Sequence, residues 1–159
     1  MKRLWRLAGR LAFTLTFPLI ILYVHRSKRT RLLLICGDNL LVLKGWLGKD
    51  NWSLPGGGLH RNEDPAEGLL RELKEETGIE LDKQQLRSLG TWRGYYWRLY
   101  VDYFGYVTEV EKLIEPNVTT IEISHAAWIP IADLNDNNTS ADTLVLMRRW
   151  KQAAESVKL

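Results

Sequence analysis

Three carboxylates and an arginine crowd into six residues of this chain. Arg71, Glu72, Glu75 and Glu76 close the stretch "GGLHRNEDPAEGLLRELKEETGI", residues 57–79. On a helix turning about 100° per residue, Ala66, Leu69, Leu70, Leu73 and Thr77 form one apolar face. Glu72, Glu75 and Glu76 gather roughly 120° away, at i, i+3 and i+4. Like charges on neighbouring turns repel by a few tenths of a kcal/mol per pair, and Arg71 can offset part of this through Glu75. The rest calls for a cation at the centre. Carboxylate oxygens without His or Cys partners suit Mg²⁺, or Mn²⁺, over Zn²⁺. Gly56, Gly57 and Gly58 just upstream let a ligand or metal approach the main chain. A metal between such a turn and such a helix invites a phosphate chain, with a metal-bound water as nucleophile.

The surrounding pattern supplies the elements that must hold these groups. Asp64 reads as an N-cap, Pro65 as the first helical residue, and Gly78 as the stop, giving a helix from Pro65 to Thr77. "RLLLIC" and "LLVLKG" flank Gly37-Asp38-Asn39 and predict a hairpin of buried strands. "NWSLPGGG" reads as a short strand entering the glycine turn. Strands are expected from Leu86 to Val110 and within "TTIEISHAAWIPI", a turn over 135–138, and a closing amphipathic helix from Ala141 to Glu155. Strands mixed with a few helices argue for an α/β or α+β sandwich.

At 159 residues the chain suits one domain. Its net charge of +3 is uneven: every charged residue before Leu32 is basic, and the remainder is net acidic. No basic stripe runs through the body, so nucleic acid is not an expected partner. The single cysteine, Cys36, can form no intrachain disulfide, which suits a reducing compartment. We divide the chain into an N-terminal segment, 1–27, and a domain, 28–159. Residues 11–24, "LAFTLTFPLIILYV", are uncharged but short of the roughly 20 needed to span a bilayer. Leu4 to Leu15 carries apolar residues at helical spacing, with Arg3, Arg6 and Arg10 opposite and Trp5 at the boundary. That pattern favours association with an anionic membrane surface, on the cytoplasmic side. A helix folded back on the domain is the alternative, and a cleaved signal peptide fits poorly, since "HRSKRT" follows the apolar run. The same segment could also mediate a homodimer.

The run Gly57, five residues, Glu63, seven residues, Arg71-Glu72-Leu73, one residue, Glu75-Glu76, one residue, Gly78-Ile79 resembles the Nudix box, with every defined position filled. The lead-in Leu54 to Gly57 and "WIPIADL" from Trp128 agree, so the resemblance covers roughly 30–155. It implies an α/β/α sandwich around a mixed β-sheet and Mg²⁺-dependent hydrolysis of a nucleoside diphosphate linked to another moiety. It also implies that Glu72, Glu75 and Glu76 are metal ligands, with the Gly57 carbonyl as a further one. Arg71 would orient the glutamates, Glu63 would brace the loop or bind metal through water, and Leu73 and Gly78 would be structural. The general base stays open between Glu72 and Glu122, the latter resembling a glutamate that relatives carry shortly before the tryptophan. His125 reads as a solvent-facing loop residue.

The resemblance says little about substrate. Strand alternation puts Trp92, Tyr96, Arg98 and Tyr100 on one side of "TWRGYYWRLYVDYFGY", and Tyr95, Trp97, Leu99 and Tyr103 on the other. Trp92 or Tyr96 could stack a base, with Arg98 or Arg93 meeting phosphate, although aromatics also simply pack strands. Tyr96 resembles a tyrosine downstream of the box in dinucleoside polyphosphate hydrolases. Three functions remain open. The first is a pyrophosphohydrolase of nucleoside triphosphates, nucleotide sugars or dinucleoside polyphosphates. The second is a membrane-associated hydrolase of a lipid-linked diphosphate. The third is a nucleotide sensor without turnover, which the intact glutamate set disfavours.

Overall fold

The computed structural model describes residues 28–46, 51–96, 99–118, 120 and 122–156, with backbone alone for 95, 96 and 99. The basic apolar segment therefore lies outside the described residues.

Strands β1 (Lys28–Cys36) and β2 (Asn39–Gly45) form the expected leucine-rich hairpin. Gly37, at φ 56°, supplies the left-handed residue in its turn. The two strands pair only at Ile35–Leu40 and Cys36–Asn39 before they diverge. Residues 53–59 fill the fork. Ser53 exchanges both backbone hydrogen bonds with Leu43, at 2.8 Å each. On the other side, the Leu32 and Thr30 amides donate to the Pro55 and Gly57 carbonyls at 3.0 and 2.9 Å, and the Leu59 amide donates to the Lys28 carbonyl at 2.8 Å. The glycine turn read from the sequence is thus a wedge inside the sheet, with its backbone groups paired on both flanks.

Strands β3 (Arg87–Tyr96) and β4 (Leu99–Glu109) make a second antiparallel hairpin, and β4 runs parallel to β1. Strand β5 (Ile123–Pro130) lies antiparallel along β2. The mixed five-stranded sheet has the order β3-β4-β1-β2-β5. Alternation along β1 feeds two cores. Leu32 and Leu34 meet Leu41, Leu69, Leu73 and Ile79 under helix α1 (Pro65–Thr77). Leu33 and Ile35 meet Leu40, Val42, Leu146 and Met147 under helix α2 (Ala141–Ser156). The helices cover opposite faces, which is the α/β/α sandwich expected.

Both ends of α1 fall where local chemistry puts them. The Asp64 carboxylate accepts the Ala66 and Glu67 amides at 3.0 and 3.1 Å. Gly78, at φ 68°, ends the helix with its amide on the Lys74 carbonyl, 2.8 Å away.

One strand expectation is corrected. Trp92 and Tyr103, expected on opposite sides, are cross-strand partners whose rings stack at 5.0 Å. Tyr100, expected beside Trp92, lies one step out of phase with Tyr103 and is exposed. Simple alternation failed because the chain reverses between β3 and β4, so parity must be counted afresh on each strand.

Leu69 and Leu73 are fully buried, each contributing about 1.5–3 kcal/mol of burial. Leu73→Ala is expected to lower the free energy of unfolding by about 2–5 kcal/mol, and Asp64→Ala by about 1 kcal/mol. Urea titration followed by circular dichroism measures both. Equal losses for the two would mean that α1 is not held mainly by its leucine stripe.

Candidate functional site

Helix α1 delivers its charged face to the wedge. The Glu72 carboxylate lies over the Gly57 Cα, so closely that a Cβ there would sit 2.4 Å from its Oε2. One turn on, Glu76 Oε2 accepts the Gly56 amide at 2.8 Å. Gly56 has φ 124°, and a Cβ there would lie 2.4 Å from the Thr30 carbonyl oxygen. Both glycines are therefore demanded by space, and Gly56 also by conformation. Helical spacing of four brings Glu72 and Glu76 to the same turn. Glu75, at i+3 from Glu72, stays largely exposed.

Arg71 organises the remaining carboxylates. Its Nε and Nη2 donate to Glu63 Oε1 and Oε2 at 2.9 and 3.1 Å, a two-pronged pair. Nη2 also donates to the Gly58 carbonyl at 3.0 Å, and Nη1 to Glu72 Oε1 at 2.9 Å and Glu75 Oε2 at 3.3 Å. Glu63 Oε2 accepts the His60 amide at 2.7 Å as well, which ties the loop before α1 to the same guanidinium. Gly68 leaves room for this: a Cβ there would meet Leu59 at 2.3 Å and Glu63 Oε2 at 2.9 Å.

These contacts push the carboxylates apart in acidity. Hydrogen bonding to Arg71 outweighs burial and holds Glu63 at about 2. Burial instead drives Glu76 up to about 7, despite the Gly56 amide and the Arg31 charge, which pull it down, and with Glu72 pushing the same way as burial. Arg71 is raised, chiefly by its bonds to Glu63 against the effect of burial.

Glu72 and Glu76 could hold a divalent ion. Among the described residues no three Asp, Glu, His or Cys side chains close on one point. Mg²⁺ does not require such a cage, since it keeps several waters and takes one or two carboxylates plus substrate phosphates. Thr30, fully buried and in phase with Leu32 and Leu34 on the α1 side, carries a hydroxyl without a hydrogen-bond partner. A buried hydroxyl left without a partner calls for a water or ion to satisfy it.

The remaining expected residues make other contacts. The Gly57 carbonyl accepts the Thr30 amide, leaving it one lone pair. Glu122 is exposed just before β5, its carbonyl bound by the Trp46 amide at 3.0 Å. His125 is exposed on β5, its ring 5.9 Å from that of Trp52. Trp92 is half-buried between Tyr103 and Arg149, whose guanidinium lies 5.6 Å from its ring. Arg93 Nε donates to Asp102 at 3.3 Å on the surface. Arg98 and the Tyr96 side chain fall outside the described residues. Two residues that sequence reasoning passed over, Thr30 and Arg31, sit at the heart of the wedge. The available signal was a polar pair running directly into a buried apolar run, "TRLLLIC".

Because Glu76 binds its proton more tightly in the folded chain, its contribution to stability is present below its ordinary value of 4.5 and is lost as pH rises to about 7. The metal-free protein is expected to lose on the order of 2–3 kcal/mol over that interval, and Glu76→Gln to lose much less. Urea melts at stepped pH in EDTA measure this, and parallel curves for the two proteins would contradict it.

Comparison with known proteins supplies the family. The NUDIX domain model matches residues 20–150. An RNA pyrophosphohydrolase of Marinomonas sp. (strain MWYL1) is 45% identical over 49 residues, 31% of this chain and 29% of that protein. One of Xylella fastidiosa (strain 9a5c) is 38% identical over 55 residues, 35% of this chain and 29% of that protein. The chain thus spans under a third of the length of these curated relatives. Among solved structures, the NUDIX domain of Shewanella oneidensis NrtR, complexed with ADP ribose, superposes with TM-score 0.69 at 18% identity, covering 79% of this chain and 86% of that one. A C. elegans Ap4A hydrolase superposes with TM-score 0.66 at 19% identity, covering 82% and 98%. These similarities establish a shared fold, and together with the family match and the filled signature at 57–79 they show that the chain belongs to the Nudix hydrolase family.

Proposed function

We propose that this protein hydrolyses the pyrophosphate bond of a nucleoside diphosphate linked to another moiety, with Mg²⁺, or Mn²⁺, held by Glu72 and Glu76. The observation that carries this reading is their convergence on the glycine turn, with Arg71 bracing the flank. When bound, the ion supplies charge neutralisation on the phosphates and a water of lowered pKa. Glu76, whose burial favours the protonated form, would have to release that proton to hold the ion. Glu72 is fixed by Arg71, which is itself fixed by Glu63 and the Gly58 carbonyl. Glu75, exposed and paired with Arg71, would be a further ligand. The Gly57 carbonyl has a lone pair to offer. Glu72 and Glu122 remain the two candidates for general base.

Substrate choice rests on residues outside this centre. Tyr96 and Arg98 are the base-stacking and phosphate-contacting candidates. Trp92, the other base-stacking candidate, packs on Tyr103 rather than standing free. The relatives named RNA pyrophosphohydrolase add a 5′-triphosphorylated RNA end to the nucleoside triphosphates, nucleotide sugars and dinucleoside polyphosphates already expected. Such an end presents the same phosphate chemistry and needs no basic stripe along the body.

A second reading is favoured by residues 1–19, which precede the family match and hold most of the amphipathic basic pattern. In it, residues 1–27 place the domain at an anionic membrane surface on the cytoplasmic side, and the substrate is a lipid-linked diphosphate. No helix among the described residues is long and apolar enough to cross a membrane.

Turnover should appear on at least one member of a panel comprising nucleoside triphosphates, nucleotide sugars, dinucleoside polyphosphates, 5′-triphosphorylated RNA and detergent-solubilised lipid diphosphates. It should vanish in EDTA. Glu72→Gln and Glu76→Gln should each reduce it by about 100-fold or more, beyond the roughly 10–100-fold that loss of an outer partner such as Arg71 costs. Near-normal rates in both helix variants would refute the metal assignment. For the second reading, the full chain should sediment with phosphatidylglycerol vesicles and a chain starting at Lys28 should not; equal behaviour would remove the membrane from the proposal.

A further inference from the structure

Arg31 is the charged residue least expected from its surroundings. It lies in β1 between Thr30 and Leu32, only 6% exposed, yet none of the chemistry above uses it. It is in phase with Leu33 and Ile35, so it points to the α2 side of the sheet, away from the glutamates. There its Nε donates to Asp142 Oδ2, in the first turn of α2, at 2.6 Å. Its Nη1 donates to the Thr30 carbonyl at 3.2 Å and, at close range, to the Gly56 carbonyl. Its Cζ lies 5.7 Å from the centre of the Tyr103 ring.

Gly56 is therefore gripped from both faces of the sheet. Its carbonyl is held by Arg31 from the α2 side, and its amide holds Glu76 from the α1 side. We propose that Arg31 and Asp142 form a positioning couple that fixes the Gly56 backbone, and through it the Glu76 carboxylate, so that α2 helps to set the metal-binding geometry. The inference rests on the reading of Glu72 and Glu76 as the ion-holding pair.

Stability alone is a weak reason for such a pair. A buried ion pair can often be replaced by apolar residues of similar volume with no loss, and sometimes a gain, of stability. The flanking positions are leucines, so an apolar side chain would suit the strand. What an apolar residue could not do is donate to Asp142, Thr30 and Gly56 at once. A lysine could not either: it carries the charge as a point and lacks the planar fork.

This logic selects the variants. Arg31→Met/Asp142→Leu removes both charges while keeping volume, which separates positioning from packing. Arg31→Lys keeps the charge and loses the fork, and serves if the double variant does not fold. Mn²⁺ binding to the full chain is read by electron paramagnetic resonance without substrate. Exchange protection and chemical shift of the Gly56 amide are read by NMR. Steady-state kinetics on whichever substrate the panel identifies gives the split between kcat and KM.

In the double variant, or in Arg31→Lys, Mn²⁺ affinity should fall by roughly 10–100-fold, Gly56 protection should drop, and kcat should fall with little change in KM. The melting temperature of the double variant should stay within a few degrees of the parent. Unchanged Mn²⁺ affinity in a folded variant overturns the proposal, whether or not the Gly56 amide loosens. If the parent chain itself binds no Mn²⁺, the metal assignment falls. The Gly56 amide then decides the couple: lost protection retains it as a clamp on the wedge, and full protection eliminates it.

Discussion

The Glu72 carboxylate can lie against Gly57, and Glu76 can reach the Gly56 amide, only because neither glycine carries a side chain. That absence of two Cβ atoms is the constraint on which the site depends. A helix normally packs on a sheet through interdigitating side chains, which would keep charged groups away from the backbone beneath. Here the apolar stripe of α1 does this over β1 and β2, with Leu69 and Leu73 fully buried against Leu32, Leu34 and Leu41. One face further round, the wedge offers bare backbone. The helix is held by its leucines at a height that lets its glutamates touch main chain. Gly68 extends the same device, admitting Leu59 and Glu63 close to the helix axis.

Charge then divides what geometry brings together. Four glutamates near one another would repel if all were left to solvent and each other. Arg71 takes up Glu63, Glu72 and Glu75, while Glu76 is left to the Gly56 amide. The outcome is a carboxylate at about 2 within the guanidinium cluster and another at about 7 beside the backbone. Environments that push like groups apart in this way assign them different work. Glu63 is a permanent anion, suited to holding Arg71. Glu76 is a buried carboxylate whose ionised form calls for a positive partner.

What could be read from the sequence was what neighbouring residues decide among themselves. The limits of α1 follow from Asp64, Pro65 and Gly78, all within two residues of the ends they set. The first hairpin follows from two apolar runs about one turn. The glutamate cluster follows from spacing along a single helix, although its division did not: only the position of the wedge tells Glu75 from Glu72 and Glu76. The features missed are contacts between distant segments. The wedge depends on β1 and β2 parting after two residue pairs, and no local pattern announces that. The stacking of Trp92 on Tyr103 depends on hairpin register. The Arg31–Asp142 pair joins residues 111 apart in the chain, at opposite ends of the domain's sequence.

The same separation explains why the reaction is easier to read than the substrate. Catalytic groups of this kind are packed into one helix and one turn, because an ion demands ligands within a few ångströms. A substrate's distal moiety makes no such demand and can be met by any surface that borders the turn. In this fold two such surfaces are available on the α2 side of the wedge. One is the β3–β4 hairpin, with Trp92 packed between Tyr103 and Arg149. The other is the junction of β2 and β5, where Lys44 Nζ lies 4.5 Å from the Trp52 ring and His125 lies beside it. Both are aromatic and cationic, and neither grouping would distinguish one nucleotide from another by charge alone.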